Sequence, residues 1–277
     1  DSNVLSTNFR TSKIRLIPKK NDPRYIGNWR PISLLCVCYK LLSGTLSRRL
    51  HKIQDKIISK EQKAYSKKMW LQDVVCNMLT TIDHLNKEKK QACFFCLDFI
   101  KAFDRINYEY IFEVLRLLNF GQKFISLIRL LLTDRKGTII LDEEISTLFE
   151  VSRGTPQGDK IAPILFLIAL EPLLLRVNNC DNIQGLHFEG WEMNPSKLDA
   201  YADDANGCLL PNRENILNFS NILDQFHNIS GLQINKKKTF LVPVGNHETI
   251  QLINNTAAVL GIGVDQNKID LLGFSVH

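Results

Sequence analysis

The chain has 277 residues, 44% hydrophobic and 23% charged, with seven cysteines and a formal net charge of +6. That length and apolar content supply a core for one large domain or two intimate ones and exclude a disordered chain. The strongest apolar stretch, 164–175, is broken by Glu171 and Pro172 and is too short to span a bilayer, and scattered cysteines in odd number argue against a secreted disulfide framework.

In chain order, Lys13-Ile14-Arg15-Leu16-Ile17-Pro18-Lys19 alternates basic and apolar residues, which predicts a strand with one wet, cationic face. Asn21-Asp22-Pro23 reads as a turn, and Trp29-Arg30-Pro31-Ile32 resumes an extended stretch. Helical spacing covers 39–58, with Arg48, Arg49, Lys52 and Lys56 on its polar side, and again 70–87. The run 91–98 is apolar until its final carboxylate, as a buried strand would be. Asn107 is placed to cap the next helix, Asn119-Phe120-Gly121 to end it, and a further helix is expected over 122–133. Short strands are expected at 137–141 and 145–151, a loop at 154–158, and a helix that starts before Pro163 and kinks near Pro172. Strands follow at 183–188, 197–201 and up to 210 around an Asp203-Asp204 turn. A helix over 213–230 ends at Gly231, and a final strand pair lies at 240–244 and 269–276. Helices first and then antiparallel strands interrupted by helices predict an α+β fold.

Charge is distributed unevenly. Residues 1–90 carry 19 Lys and Arg against 7 Asp and Glu, a net of +12, while residues 91–277 net −6. A basic first third suits a polyanion and a mildly acidic remainder suits cations, although a solvated lysine surface would read the same way. Cys93 and Cys96 form a lone C-x-x-C with no second pair, which buried thiols explain as well as a metal does.

Three motifs carry chemistry. Tyr201-Ala202-Asp203-Asp204 places adjacent carboxylates at a hairpin turn, where they repel one another and a bound cation would remove the repulsion, although taken alone an ordinary acidic turn with Tyr201 packed inward reads the same way. Leu97-Asp98-Phe99-Ile100-Lys101-Ala102-Phe103-Asp104 puts another carboxylate at the end of the buried strand, an expensive position without a partner or metal. If that strand pairs beside the hairpin, Asp98 and Asp203 converge at one sheet edge. Mg²⁺ takes a few such carboxylates together with phosphate oxygens and water, and two ions suit nucleotidyl transfer. In Arg153-Gly154-Thr155-Pro156-Gln157-Gly158 the flanking glycines permit close backbone approach, and Gln157 offers a donor and an acceptor to a template base or sugar.

The ordered set Arg30-Pro31-Ile32-Ser33, then Leu97 to Asp104, Gly154 to Gly158, Tyr201 to Asp204 and Gly231-Leu232-Gln233-Ile234-Asn235 resembles the reverse transcriptase domain of non-LTR retrotransposons. The resemblance runs collinearly from about Lys13 to Phe274. It implies a right-hand polymerase, α+β, with fingers at 1–90 and a further contribution from about 122–153, and a palm at 91–277. The palm is an antiparallel sheet with packed helices, and a thumb is absent. It further implies metal ligation by Asp98, Asp203 and Asp204 with two Mg²⁺ ions (Mn²⁺ as a substitute), and a general-acid role for Lys238. Lys19, Arg30, Phe99, Phe103, Gln157 and Gly158 would meet substrate. Phe103 would act as the steric gate that selects deoxynucleotides, and Lys19 and Arg30 would grip the triphosphate. Lys13 and Arg15 touch template phosphate or face water, and Leu272-Gly273-Phe274 resembles the turn that positions a primer end.

The partners implied are an RNA template, a DNA primer and deoxynucleoside triphosphates, with no membrane. Because the chain opens on Asp1, it is expected to be part of a larger polyprotein whose thumb and endonuclease lie elsewhere. An intracellular setting is implied, nuclear or in a cytoplasmic ribonucleoprotein, without a choice between them. Two rivals stand beside this reading. An RNA-dependent RNA polymerase is disfavoured by Phe103, and a remnant serving as an RNA-binding module is disfavoured by the intact carboxylates. Two departures from the family pattern are Asp159-Lys160-Ile161-Ala162-Pro163 after Gly158 and the segment Ala64-Tyr65-Ser66-Lys67-Lys68-Met69.

Overall fold

The structure, a computed structural model, describes residues 6–19, 22–64, 71–191 and 195–265, and the backbone alone at 71–74, 269–271 and 274–276. The expectations for 65–69 and for Leu272-Gly273 lie outside the described residues.

A short turn of helix, α1 (Thr7–Arg10), leads into β1 (Thr11–Pro18), which pairs antiparallel with β2 (Trp29–Leu34). Lys13, Arg15 and Arg30 are exposed on the wet face that the alternation predicts. The helix expected over 39–58 is two pieces, α2 (Val37–His51) and α3 (Gln54–Ile57). Next come α4 (Leu71–Glu88), β3 (Ala92–Asp98), α5 (Ala102–Arg105), α6 (Tyr108–Leu117) and α7 (Gln122–Leu132). Asn107 caps α6 by accepting the Glu109 N–H, worth about 1 kcal/mol. Asn119 leaves that helix with φ of 59°.

The strand expected at 145–151 is interrupted. β4 (Arg135–Leu141) pairs first with β5 (Glu144–Ile145) and, nearer its start, with β6 (Phe149–Val151). Helix α8 (Ala162–Asn178) continues past Pro172 and is buried on nearly every side from Ala162 to Leu174. The hairpin β7 (Leu198–Tyr201) and β8 (Asp204–Leu209) precedes α9 (Arg213–Ser230), which Asn212 caps and Gly231 closes at φ of 79°. The rest is β9 (Phe240–Val244), α10 (His247–Leu260), β10 (Gly263–Val264), β11 (Ile269–Leu271) and β12 (Phe274–Val276).

Among the described residues the pair expected between 240–244 and 269–276 does not form, since β9 pairs with β3 and β10, and β11 with β12. No strand forms over 183–188, where only a single bridge joins Gly185 to Leu209. The Asn215 side chain takes both backbone groups of Gln184, at 2.7 Å each, and the backbone pairing left to that residue is the Leu210 N–H to its carbonyl at 3.0 Å, within the one bridge. Helix α10 was not anticipated.

The chain divides into two compact units, residues 1–57 with 101–169 and residues 58–100 with 170–277. In the first unit β1 lies parallel to β4, giving the order β2-β1-β4-β5 with β6 also on β4. In the second, the order is β10-β9-β3-β8-β7, and β11 pairs with β12.

The central strand β3 is flanked on both edges and covered on both faces, which explains its unbroken apolar run. One face packs Phe94, Cys96 and Cys208 with Leu85, Phe188 and Val242; on the other, Phe95 meets Phe219 at 4.5 Å between ring centroids. Each fully buried large apolar side chain contributes roughly 1.5–3 kcal/mol, so this sheet is a rigid base for whatever its ends carry. None of the seven cysteines is in a disulfide, and Cys93 and Cys96 are buried. Among the described residues no helix is long and apolar enough to cross a membrane.

Candidate active site

In the second unit, the antiparallel register sets Asp98 of β3 opposite Asp204 of β8, and Asp204 opposite Tyr201 of β7. Ala202 and Asp203 are thus the two residues of a tight hairpin turn. Such turns match the twist of their strands when the first central residue has positive φ, and Ala202 stands at 58°. An alanine held there stores of order 1 kcal/mol of strain.

Paired like charges destabilise a sheet, and the electrostatics record it. Burial, then Asp203, then Asp98 push the Asp204 carboxyl up to about 6, while Lys238 pulls it the other way. Of the three consecutive lysines, Lys236 donates to the Leu260 carbonyl at 2.9 Å, and Lys238 is the one coupled to Asp204. Among the described residues no three His, Cys, Asp or Glu side chains are gathered closely enough to enclose an ion by themselves.

The Gly231-Leu232-Gln233-Ile234-Asn235 motif has a structural explanation here. Gly231 ends α9, and the chain then docks along 98–100. The Ile100 N–H donates to Gln233 O at 2.8 Å, Ile234 bridges Phe99, and the Asn235 N–H donates to Asp98 O at 2.7 Å. The Asn235 side chain donates to Asp98 Oδ2 at 3.0 Å, fixing the orientation of that carboxylate. Phe99 is only 6% exposed, a core position rather than a surface one.

In the first unit, Lys101 turns left-handed at φ of 46° and opens α5, which carries Phe103 and Asp104. Phe103 packs on Phe166 with ring centroids 4.6 Å apart. The glycine loop is stitched to this segment. Gly154 N–H donates to Ile106 O at 2.9 Å, Thr155 N–H to Phe103 O at 2.7 Å, and Gln157 Nε2 to Asp104 Oδ1 at 2.8 Å. A Cβ at Gly154 would stand 2.6 Å from the Asp104 carbonyl oxygen, so glycine is obligatory there for reach as well as for its φ of 79°. Ser33 N–H donates to Gln157 O at 2.9 Å, tying the loop to β2. Gly158 is exposed at φ of 99°. Burial raises the Asp104 carboxyl, against the Gln157 hydrogen bond and the charges of Lys101 and Lys19. Arg30 is exposed on β2.

The family model described as reverse transcriptase (RNA-dependent DNA polymerase) matches residues 17–276. The chain belongs to the reverse transcriptase family. Relatives of this reverse transcriptase chain include a 149 kDa protein of transposon TX1 from Xenopus laevis, 28% identical over 200 residues, covering 72% of this chain and 15% of that protein. The Pol polyprotein of the type-1 retrotransposable element R2 from Popillia japonica is 28% identical over 247 residues, covering 86% of this chain and 33% of the polyprotein. The chain therefore spans a third or less of the length of these relatives. Among solved structures, telomerase from Candida albicans in complex with the TWJ fragment of telomeric RNA superposes with a TM-score of 0.63, at 16% identity over 99% of this chain and 45% of that one. The α+β polymerase fold expected from the motifs is thus the fold of the reverse transcriptase.

Each unit collects its own share of the expected residues: Asp98, Asp203, Asp204 and Lys238 in the second, and Lys19, Phe103, Gln157 and Gly158 in the first. Three supporting residues escaped the sequence reading. Asp104 anchors Gln157, and nothing but its place in the motif hinted at that. Asp159, a departure from the family pattern, is 5% exposed and accepts the Ser43 hydroxyl at 2.6 Å, so it serves as an internal anchor. Gln62 contacts the Asp203 turn, and no sequence signal marked it.

Proposed function

We propose that the chain is the fingers-and-palm core of an RNA-directed DNA polymerase of a non-LTR retrotransposon. It adds deoxynucleotides to the 3′-hydroxyl of a DNA primer on an RNA template. The observation that carries this reading is the placement of Asp98 opposite Asp204 at the end of a buried sheet, beside a two-residue turn bearing Asp203. A fold gains nothing from three carboxylates so placed; burial first, and then the charges of Asp203 and Asp98, push the Asp204 carboxyl up to about 6, and a divalent cation would relieve the repulsive part of that cost. Hard oxygen donors with few protein ligands suit Mg²⁺, or Mn²⁺ in its place, with triphosphate oxygens and water as the remaining ligands. When bound by Asp98, Asp203 and Asp204, two such ions supply charge neutralisation for phosphoryl transfer.

The other residues act by binding, orienting and excluding. Asn235 keeps Asp98 in one orientation. Lys238, whose charge lowers the Asp204 carboxyl against its burial, gives a proton to departing pyrophosphate. The Phe103 ring, backed by Phe166, excludes a ribose 2′-hydroxyl by volume alone. Gln157 and Gly158 present a held loop to the template, and Lys19 and Arg30 offer cations to the triphosphate. Residues 1–90, with a further contribution from about 122–153, act as fingers and residues 91–277 as palm, and further domains of a longer polyprotein complete the enzyme.

The test is extension of a DNA primer on an RNA template by purified protein, with Asp203→Ala in parallel. Deoxynucleotide incorporation by the native chain and its loss in the variant are expected. Equal extension by both would overturn the assignment.

A further inference from the structure

We propose that Gln62 is a positioning residue for nucleotidyl transfer, holding the turn that carries Asp203 and Asp204 in its working backbone conformation. This rests on the polymerase reading above. Residues 61–64 run beside β7 as a short extra edge. The Ala200 N–H donates to Glu61 O at 2.9 Å, the Lys63 N–H donates to Ala200 O at 2.7 Å, and Gln62 bridges Ala200 in parallel. These bonds fix the backbone on either side of Gln62 and aim its side chain along the strand toward the turn.

The amide is 3% exposed. Its Oε1 accepts the N–H of Ala202 and the N–H of Ala64, both at 3.1 Å. Two N–H donors on one atom settle which end of the amide faces the turn, since the amide nitrogen cannot accept. Ala202 is the residue that needs holding. It takes φ of 58° without being glycine, inside a turn whose next two residues are the repelling carboxylates.

The same segment is fixed at its far end. Buried Glu171 of α8 accepts the Ser59 N–H at 2.9 Å, and Lys63 lies 3.6 Å from Asp199 of β7. A chain of contacts thus runs from α8 through residues 59–63 to the catalytic turn. It lies wholly inside the second unit, on rigid elements, as preorganisation requires.

Gln62→Met keeps the side-chain volume and removes the acceptor. In the full chain, amide hydrogen exchange over residues 200–205 is expected to accelerate at Ala202. The extension kcat is expected to fall by at least about tenfold, with KM for the deoxynucleotide changing by less than about threefold, because the loss is in the arrangement of reacting groups. Ala202→Gly in that background adopts φ of 58° freely and is expected to restore part of the rate. Gln62→Asn withdraws the same amide by one methylene and should show the pattern at smaller amplitude, which serves if the Met variant does not fold. Unchanged exchange at Ala202, or a folded Gln62→Met with native kcat, would overturn the proposal. So would a double variant no better than Gln62→Met. If the native chain extends no primer, the polymerase reading fails by itself, and the exchange measurement still decides whether Gln62 holds the turn.

Discussion

Gly154 and Gly190 share the same left-handed φ of 79°, yet a Cβ added at Gly190 meets nothing within 4 Å, whereas at Gly154 it meets Asp104 O, C and Cα at 2.6–2.7 Å. The two alanine substitutions therefore separate backbone strain from close approach. Left-handed φ costs an L-residue roughly 1–2 kcal/mol, and the loss of glycine's freedom in the unfolded chain returns about 0.4–1 kcal/mol. Gly190→Ala should destabilise by about 0.5–1 kcal/mol. Gly154→Ala carries the same terms plus a forced shift of the Asp104 backbone, an overpacking cost of roughly 1–3 kcal/mol. It also strains the bonds from Thr155 to Phe103 and from Gln157 to Asp104, each worth about 1 kcal/mol. We expect about 3 kcal/mol in all. Urea unfolding of both variants measures the difference, and the shift of Phe103 should also lower extension by Gly154→Ala. If Gly154→Ala costs no more than Gly190→Ala, the loop is not stitched to the Phe103 segment as described.

Asn235→Ala removes the 3.0 Å hydrogen bond to the Asp98 carboxylate; a bond to a charged group is worth about 1.5–3 kcal/mol, so extension should slow by roughly 10- to 100-fold with little change in deoxynucleotide KM. Phe103→Val should raise ribonucleotide incorporation relative to deoxynucleotide by about tenfold or more, measured as a ratio of kcat/KM; an unchanged ratio would remove Phe103 from the gate. The buried carboxyl of Glu171 is raised by desolvation, chiefly, against its bonds from Ser59. The folded form therefore favours the proton, and this stabilisation is complete below the ordinary carboxylate range and lost as pH rises through the raised value. Glu171→Gln should flatten that decline in unfolding free energy as pH rises above the ordinary carboxylate range; an unaltered slope would show that Glu171 does not cause it.

Much of the second unit was legible because its signals are local. An apolar run closed by Asp98 is what a strand covered on both faces must look like, and the stop at Gly231 marks a helix end by its own hydrogen bond, as the Asn107 cap does in the first unit. The candidate charged residues stood out because adjacent acids at a turn repel one another and stand in order with the other motifs, where the pair alone would read as an ordinary acidic turn. Helix α10 was missed although Asn246 caps it, since His247–Leu260 dilutes its apolar positions with Asn and Thr. The pairing of β1 with β4 brings together residues more than a hundred positions apart, and no periodicity within either strand encodes the partner. The same holds for Gln62 beside β7 and for Ser43 with Asp159, whose roles are made by tertiary contact.

The central claim is that Asp98, Asp203 and Asp204 form a cation-dependent transfer site at a cost to the fold. The most direct test is single-nucleotide extension by chelator-stripped protein on Mg²⁺ add-back, with thermal unfolding measured in parallel, for the native chain and Asp204→Asn. The account predicts extension only with Mg²⁺ in the native chain, a loss of at least about a thousandfold in the variant, and a cation-free variant that melts no lower than the native chain because a repulsion has been removed. Native-rate extension by Asp204→Asn, or a variant that loses activity only because it unfolds, would contradict it.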